Sequence, residues 1–538
     1  MLLGYVSNEG YEALPDATVE LRRDGTYQTV TTSTPTGAVY ADVEPGTYTV
    51  TLARDGYGSK TTEITAQPGT VHHFRLLSTR PLGYVWPKWC RAGEIAEFRV
   101  HTPEDTRISL WRYGREKTEL RVIEWHDEHG PRPGLQLLPD GDFTQTGVKW
   151  NEIGYEYDHS QEVRAPSRSG LYFFHMRGKH SDAFFSFPWI IAPAEPESSI
   201  AVVAATNTWN AYNRFGGRSN YVNPTGLPDK PVVHARSDLD RFQREDAWNR
   251  ANHEYEPLSF ERPCEFNHVP ADREVTDPIQ GKEESHTAPA EWRFLGWLER
   301  EGYDYDLYAD HQLHDETLDL DAYDAVIVHT HPEYWSRRMY ERLKAWVFDD
   351  GGRLAYFGGN GLNCEVEYLD ESRMRVLNDT TGVRNESRHT DISDGYESRF
   401  HRTVESEGNL LGVAFSESGI MTAAPYETLD PEHWVFAGTG LDAGDYFGEE
   451  TLQERVSGGA SGHETDKVSR FAPAGVRPLA KGTNPDNGGA EMVHFETESG
   501  GEVFSAGSIT YTAGLLVDDT LSTVTRNVLD RFVDNTGP

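Results

Sequence analysis

The chain has 538 residues, 37% of them hydrophobic, and carries 87 acidic against 50 basic side chains for a net charge of -37. That length asks for more than one core. The charge excludes a phosphate-binding surface for nucleic acid and argues against docking on anionic membranes. No apolar run approaches the ~18 residues needed to span a bilayer.

Only 10 of the basic residues are Lys, the rest being Arg. An acidic, Lys-poor surface holds counter-ions and repels itself at low salt, which points to a halophilic source. The expected result is an unfolding temperature that climbs steadily from low to molar KCl; a flat response would refute the reading. The three cysteines, Cys90, Cys264 and Cys364, form no CxxC or CxxH pair. A zinc site or a disulfide framework is therefore not expected. The opening MLLGYV lacks a basic segment followed by an apolar one, so no secretory leader is read there and the expected location is cytoplasmic.

Residues 1–78 alternate in short runs punctuated by Gly, Pro, Asn and Asp, the pattern of a small β-sandwich. ATVEL, VEPGTYTVTL and the following DGY resemble the carboxypeptidase-regulatory-like (transthyretin-like) module. Residues 79–195 continue as strands, among them EIAEFRVHT, ISLWRYG, GLYFFHMRG and FSFPWIIAP, and predict a second sandwich. From residue 196 the pattern changes. IAVVAAT is a continuous apolar run, as in a strand buried on both faces of a parallel sheet. The polar, aromatic sequence TNTWNAYNRFGGRSNY (206–221) reads as a loop, and 223–288 as a long irregular stretch of the kind that forms lids. AEWRFLGWLEREGY predicts a helix with Trp292, Leu295 and Leu298 on one face, and YDLYAD a strand. AVIVHT (325–330), a helix over 335–350 and RLAYFG (353–358) make a βαβ unit. After loop-rich β sequence, EMVHFET, GEVFSAGSI and the helix LSTVTRNVLDRFVD close the chain. The expectation is a multi-domain fold, all-β followed by α/β: sandwiches over 1–78 and 79–195, and a mainly parallel doubly wound sheet over 196–538.

In open α/β sheets, ligands bind beyond the carboxyl ends of the strands. HPEYW follows AVIVHT, which puts His331, Glu333, Tyr334 and Trp335 there. Gly359, Asn360 and Gly361 follow RLAYFG, where exposed backbone N–H groups bind an anion or a carbonyl oxygen. Asn207, Asn210, Tyr212 and Asn213 belong to the same edge, neutral hydrogen-bonding side chains suited to an amide or a sugar. The bland reading is a helix cap with packed aromatics, a plain turn and a self-organising loop. His463–Glu464 and His494–Glu496 are further metal-ligand pairs by type, the second read as strand packing; His72–His73 reads as surface.

TNTWNAYNRFGGRSNY, SFERP (259–263), WLEREGYDYDLYAD, VHTHPEYWS, GGRLAYFGGNG, GGASGHETD (458–466) and VHFETESGGEVFSAGSI (493–509) occur in this order. Together they resemble the large (β) subunit of the N,N-dimethylformamidase family over about residues 80–535. The resemblance implies a class-I glutamine-amidotransferase-like α/β domain. It also implies hydrolysis of a formamide C–N bond at a mononuclear ferric iron (Fe3+) held by two tyrosines and a glutamate. Tyr334 maps to one tyrosine, and Glu397 in DGYESRF to the glutamate, with Glu464 as rival. Where relatives have the second tyrosine this chain has Trp292, which carries no phenol; Tyr303, Tyr305 and Tyr308 are the alternatives. Leu362–Asn363 replaces an aromatic pair found after GGNG in relatives. The implied roles are catalytic for His331, Glu333, Asn360 and Asn207, metal-binding for Tyr334 and Glu397, and substrate-binding for Trp209, Tyr212, Gly359 and Trp335. The implied partners are a small amide substrate and a small partner subunit or homo-oligomer, with no nucleic acid and no membrane. Two other readings stay open: a binding or scaffold protein that has lost the chemistry, and a Cys-dependent amidotransferase-like hydrolase using Cys364.

Overall fold

The computed structural model describes residues 1–102, 104–126, 159–233, 251–281, 284–377 and 396–533. Among them no helix is long and apolar enough to cross a membrane. Sheet dominates and helices are few. At the amino end, strands Leu2–Ser7, Ala38–Tyr40 and His72–Arg75 form one sheet, and Thr18–Arg23, Thr26–Thr32, Gly46–Arg54 and Gly58–Ala66 another. Inward residues such as Val6, Val19, Leu21, Val50, Leu52 and Phe74 close a separate core, because period-two alternation sends one face of each strand inside. His72, read as surface, is buried, and its Nε2 lies 3.1 Å from the Thr65 carbonyl. A second pair of sheets, of three and five strands, spans Leu82–Ala192 around Phe98, Phe174, Phe187 and Trp189.

The remainder is built on a nine-stranded sheet. Its elements in chain order are β1 (Ile200–Ala204), α1 (Thr206–Tyr212), α2 (Ala288–Glu301), β2 (Asp306–Ala309), β3 (Ala325–Thr330), α3 (Arg337–Phe348) and β4 (Arg353–Gly358). Then come β5 (Tyr426–Thr428), β6 (Tyr446–Phe447), β7 (Arg477–Gly482), β8 (Glu491–Glu496), β9 (Glu502–Ser505) and α4 (Asp519–Val533). The strand order is β2-β1-β3-β4-β9-β8-β7-β5-β6. The first five are mutually parallel, with Val202 opposite both Leu307 and Ile327, and Ala355 opposite Ile327 and Phe504. The last four continue antiparallel.

The apolar runs are continuous because both faces are covered. Ile200, Val202, Ala325 and Ile327 face a core shared with Trp292, Leu295, Val524 and Val528 of α2 and α4. Ala201, Val203, Val326 and Val328 face Met339, Leu343 and Trp346 of α3. Pro289 in the first turn of α2 and Gly302 in the left-handed conformation (φ 87°) after its last turn fix that helix at both ends. Helix α3 begins at Arg337 rather than at 335, because Ser336 caps it by accepting the Met339 N–H, while Tyr334–Trp335 pairs as a short parallel strand with Cys364–Glu365.

Counting only the parallel strands, the order is 2-1-3-4-5. In that order the connection direction reverses between β1 and β3, which opens a crevice at their carboxyl ends. The segments leaving those strands are α1 and the HPEYW loop.

Candidate functional site

The loops at this edge are held in conformations that L residues avoid. Thr330, Asn360, Leu362 and His463 have φ of 61°, 49°, 54° and 67°. Asparagine tolerates this region, but a β-branched Thr or a Leu there stores about 1–2 kcal/mol. Such outliers persist only where surrounding bonds over-determine the backbone, and here they do. The Thr208 hydroxyl donates to the His331 carbonyl (2.8 Å) and accepts the Glu333 N–H (3.1 Å). Asn207 Nδ2 donates to the Tyr334 carbonyl at 3.1 Å. The N–H groups of Leu362 and Cys364 reach the carbonyls of Pro332 and Glu333 at 2.8 and 2.9 Å.

This bracing brings Tyr334, Glu333 and His331 to one point with the end of the 206–221 segment. Asn220 Nδ2 donates to the Tyr334 hydroxyl (2.7 Å), which donates to the Tyr221 hydroxyl (2.7 Å). Tyr221 in turn donates to Glu333, 3.0 Å from Oε2 and 3.2 Å from Oε1. The Tyr212 hydroxyl lies 3.2 Å from Glu333 Oε2, and His331 Nε2 lies 3.1 Å from the same oxygen. Tyr212, His331, Glu333 and Tyr334 are all buried. Burial, reinforced by the Glu333 charge, holds Tyr212 and Tyr334 well above the usual phenol range, as neutral phenols. For His331 burial opposes the charged form, but the Glu333 carboxylate outweighs it, with Glu464 and the Gly359 carbonyl adding, and raises the imidazole to about 8. Glu333 is held below its ordinary range: burial works against the charge, and the His331 bond, its charge and Arg399 overcome it.

The GGNG turn forms the opposite wall. The Gly359 carbonyl lies 3.1 Å from His331 Nδ1, and Asn360 Nδ2 donates to Glu464 Oε2 at 2.7 Å. Glu464 Oε2 also stands 3.7 Å from His331 Nε2. Asp466 accepts from the Asn360 N–H and the Tyr356 hydroxyl, both at 2.8 Å, and burial pushes its carboxyl up to about 7. A Cβ on Gly359 would stand 2.5 Å from both the Glu464 carbonyl and the Ile509 nitrogen, main-chain atoms that cannot step aside. Gly359→Ala is therefore expected to lower unfolding stability by about 1–3 kcal/mol and to displace His331; thermal unfolding with a histidine-resolved NMR spectrum checks both.

The other residues singled out in the sequence divide cleanly. Asn207 is a brace, spent on Tyr334, on Asp310 through its N–H, and on Tyr368 through Oδ1. Trp209 gives its indole N–H to Glu291 at 2.7 Å. Trp335 packs on the other face of the sheet beside Val328 and Met339. The Glu397 carboxylate accepts from Ser406 (2.7 Å), Ser469 (2.6 Å) and the Arg470 N–H (3.1 Å). Trp292 fills the core and donates to the Gly114 carbonyl. Tyr303, Tyr305 and Tyr308 bond to Asp530, Glu299 and Tyr323. Cys364 lies 3.3 Å from an Arg399 nitrogen, yet burial pushes its thiol up to about 12, the reverse of an activated nucleophile. His494 bonds to Glu502, and Arg531 bridges Glu502 and Glu496, so that acidic pair is already neutralised.

Sequence reasoning missed Tyr221 and Asn220 as partners of Tyr334, although both close the 206–221 motif. It also read 206–212 as loop, where the structure has α1.

A family model described as N,N-dimethylformamidase beta subunit-like, C-terminal, matches residues 100–523. The chain belongs to that family. The N,N-dimethylformamidase beta subunit of Paracoccus aminophilus is 24% identical over 429 residues, covering 70% of this chain and 54% of that protein. The N,N-dimethylformamidase beta subunit of an Alcaligenes sp is 26% identical over 287 residues, covering 46% of this chain and 37% of that one. The chain thus spans about half or less of the length of these relatives. Among solved structures, a DUF3823 family protein from Bacteroides ovatus is 14% identical over 35% of this chain at a TM-score of 0.13, a value that carries no weight for the fold. All members of the Tyr334–Tyr221–Glu333–His331 cluster fall inside the family match.

Proposed function

We propose that this chain is the catalytic part of an iron-dependent amidohydrolase that cleaves the C–N bond of a formamide or similar small amide. The observation that carries the reading is the contact of two phenol oxygens and one carboxylate, Tyr334, Tyr221 and Glu333, at the crevice between β1 and β3. That donor set fits a hard trivalent ion. Asn220 Oδ1, buried beside Tyr334, has no hydrogen-bond partner among the described residues and is a further oxygen available to a ligand. Tyr221 takes the place expected of the second tyrosine ligand, and Glu333 the place expected of Glu397. Iron held there would supply Lewis acidity toward the amide carbonyl.

The protein's own groups account for the proton movements. His331, with its Nδ1 at the Gly359 carbonyl, holds a proton at Nε2 for the departing amine nitrogen. Glu464, less buried than Glu333 and fixed by Asn360, takes the proton of the attacking water. The surrounding bonds from Thr208 and Asn207 keep these groups in one geometry, which is where rate is gained when binding is weak. The parallel order 2-1-3-4-5 supports the glutamine-amidotransferase-like assignment of the domain. The relatives' designation as beta subunits supports a partner subunit. The test is formate release from N,N-dimethylformamide by iron-loaded protein, with and without a chelator. Release that is abolished by chelation and restored by ferric ion supports the reading; turnover indifferent to chelation overturns the metal, and no turnover of any small amide by iron-replete protein overturns the activity.

A further inference from the structure

The family match begins at residue 100 and leaves the amino-terminal module outside it. Yet that module is fastened to the segment that delivers Asn220 and Tyr221 to Tyr334. The Gly216 N–H donates to the Glu9 carbonyl at 2.8 Å. The Val232 N–H donates to the Tyr11 carbonyl (3.0 Å), and the Ala13 N–H to the Val232 carbonyl (2.7 Å), a short parallel bridge between module and loop. The Tyr11 hydroxyl donates to the Pro228 carbonyl at 2.8 Å. Its Cβ stands 2.5 Å from where a side chain on Gly217 would begin, so residue and loop backbone are in close contact there. Tyr11 is fully buried and has φ of 60°, a strained position for an aromatic residue. The Arg75 guanidinium lies 5.4 Å from its ring centre and reaches the Gly216 carbonyl.

The opposite flank of the loop is fixed to the catalytic body. Arg262 donates to the Phe215 carbonyl at 2.6 Å, Arg218 to the Pro257 carbonyl, and the Asn220 N–H to the Ala211 carbonyl at 2.8 Å. The loop 216–232 is therefore gripped between two bodies, with Asn220 and Tyr221 at the grip. We propose that the amino-terminal module is a positioning element of the site, its segment Glu9–Ala13 clamping the loop that sets the Tyr221 and Asn220 side chains on Tyr334. Tyr11 is the positioning residue; it touches no reacting group itself.

The experiment uses the full chain and reads backbone hydrogen exchange by mass spectrometry. Val232→Pro removes the N–H that bonds to Tyr11, and Tyr11→Ala removes the ring under Arg75 together with the hydroxyl bonded to Pro228. In both, exchange over 214–226 is expected to rise at least tenfold, while 325–330 and 353–358 keep wild-type protection. Tyr11→Phe, which keeps the ring and both main-chain bonds, is expected to stay within threefold of wild type over 214–226. Unchanged protection of 214–226 in Val232→Pro overturns the inference. So does an equal rise across 214–226 and 325–358, since the module would then support the fold at large rather than this loop. On the formamidase reading, on which the catalytic part of this inference rests, Tyr11→Ala lowers kcat for N,N-dimethylformamide at least tenfold with KM changed less than threefold. If wild-type protein shows no such turnover, that reading fails alone, and the exchange pattern still decides the clamp.

Discussion

On the proposed iron reading, Tyr334→Phe is expected to abolish both the colour and the turnover of the iron-loaded protein. Phenolate bound to ferric iron gives a visible charge-transfer band, and Tyr334 is the phenol at the centre of the cluster, in contact with both Asn220 and Tyr221. Burial keeps it neutral in the protein alone; a trivalent cation inverts that preference, as bound metals do for their ligands. Loss of one ligand oxygen is expected to lower kcat at least about a hundredfold. The lost hydroxyl also removes the acceptor of the Asn220 amide and one of the bonds at Tyr221, at about 1–3 kcal/mol of stability. Trp335→Phe is the control, one residue away but packed on the other face; it should keep the band. Colourless, metal-free wild-type protein prepared with iron present would sink the metal reading before any variant is made.

The second large effect concerns a buried acid outside the cluster. Glu291 Oε1 accepts from the Trp209 indole (2.7 Å) and the Ala205 N–H (3.3 Å), while Oε2 is 3.9 Å from His329 Nε2. Burial raises this carboxyl to about 8, against the partial help of Trp209. Burial also lowers His329 to about 3, so the pair is neutral rather than ionic. The sign follows from linkage. In the unfolded chain the acid ionises through its ordinary range, about 4.5, whereas the folded chain keeps the proton to about 8. Glu291 therefore contributes a loss of stability as pH rises between those values, on the order of 5 kcal/mol from this group alone, which levels off above; His329, held neutral, contributes in the opposite sense at lower pH. Glutamine reproduces the protonated acid, its amide oxygen to Trp209 and its NH2 toward His329 Nε2, which has no hydrogen-bond partner among the described residues. Glu291→Gln should be more stable than wild type at pH 8 by several kcal/mol, and the difference between the two proteins should grow from pH 4.5 to 8. Urea denaturation across that range measures it; parallel curves for the two proteins would show that Glu291 is ionised.

The parts of this fold that could be seen in the sequence are those where burial is uniform along a strand. IAVVA, AVIVHT and RLAYFG have no polar face to confuse the reading, and each is a strand of the parallel core. Helix α1 could not be seen, since TNTWNAY has neither apolar periodicity nor a helix-favouring composition. All seven of its residues are buried, and the polar ones are satisfied by groups distant in sequence, such as Leu258, Asp310, His331 and Tyr334. The same holds for the site. His331, Glu333 and Tyr334 were visible because they follow a strand. That Tyr221 meets Tyr334 was not, because 113 residues separate them. Glu397 was the choice by type; the carboxylate in contact with Tyr221 is that of Glu333, next to Tyr334 in sequence.

The left-handed residues at this edge bear on how the protein can be improved. Thr330 and Leu362 stand where glycine would relax the backbone, so a search for thermostable variants would be drawn to them. Yet each is tied into the site wall: the Thr330 hydroxyl lies 3.1 Å from His329 Nδ1, and the Leu362 N–H reaches the Pro332 carbonyl in the HPEYW loop. Gains made there come from the same tension that holds the crevice open in one shape. Stabilising substitutions compatible with function belong instead on the far side of the molecule, where no loop answers to Tyr334.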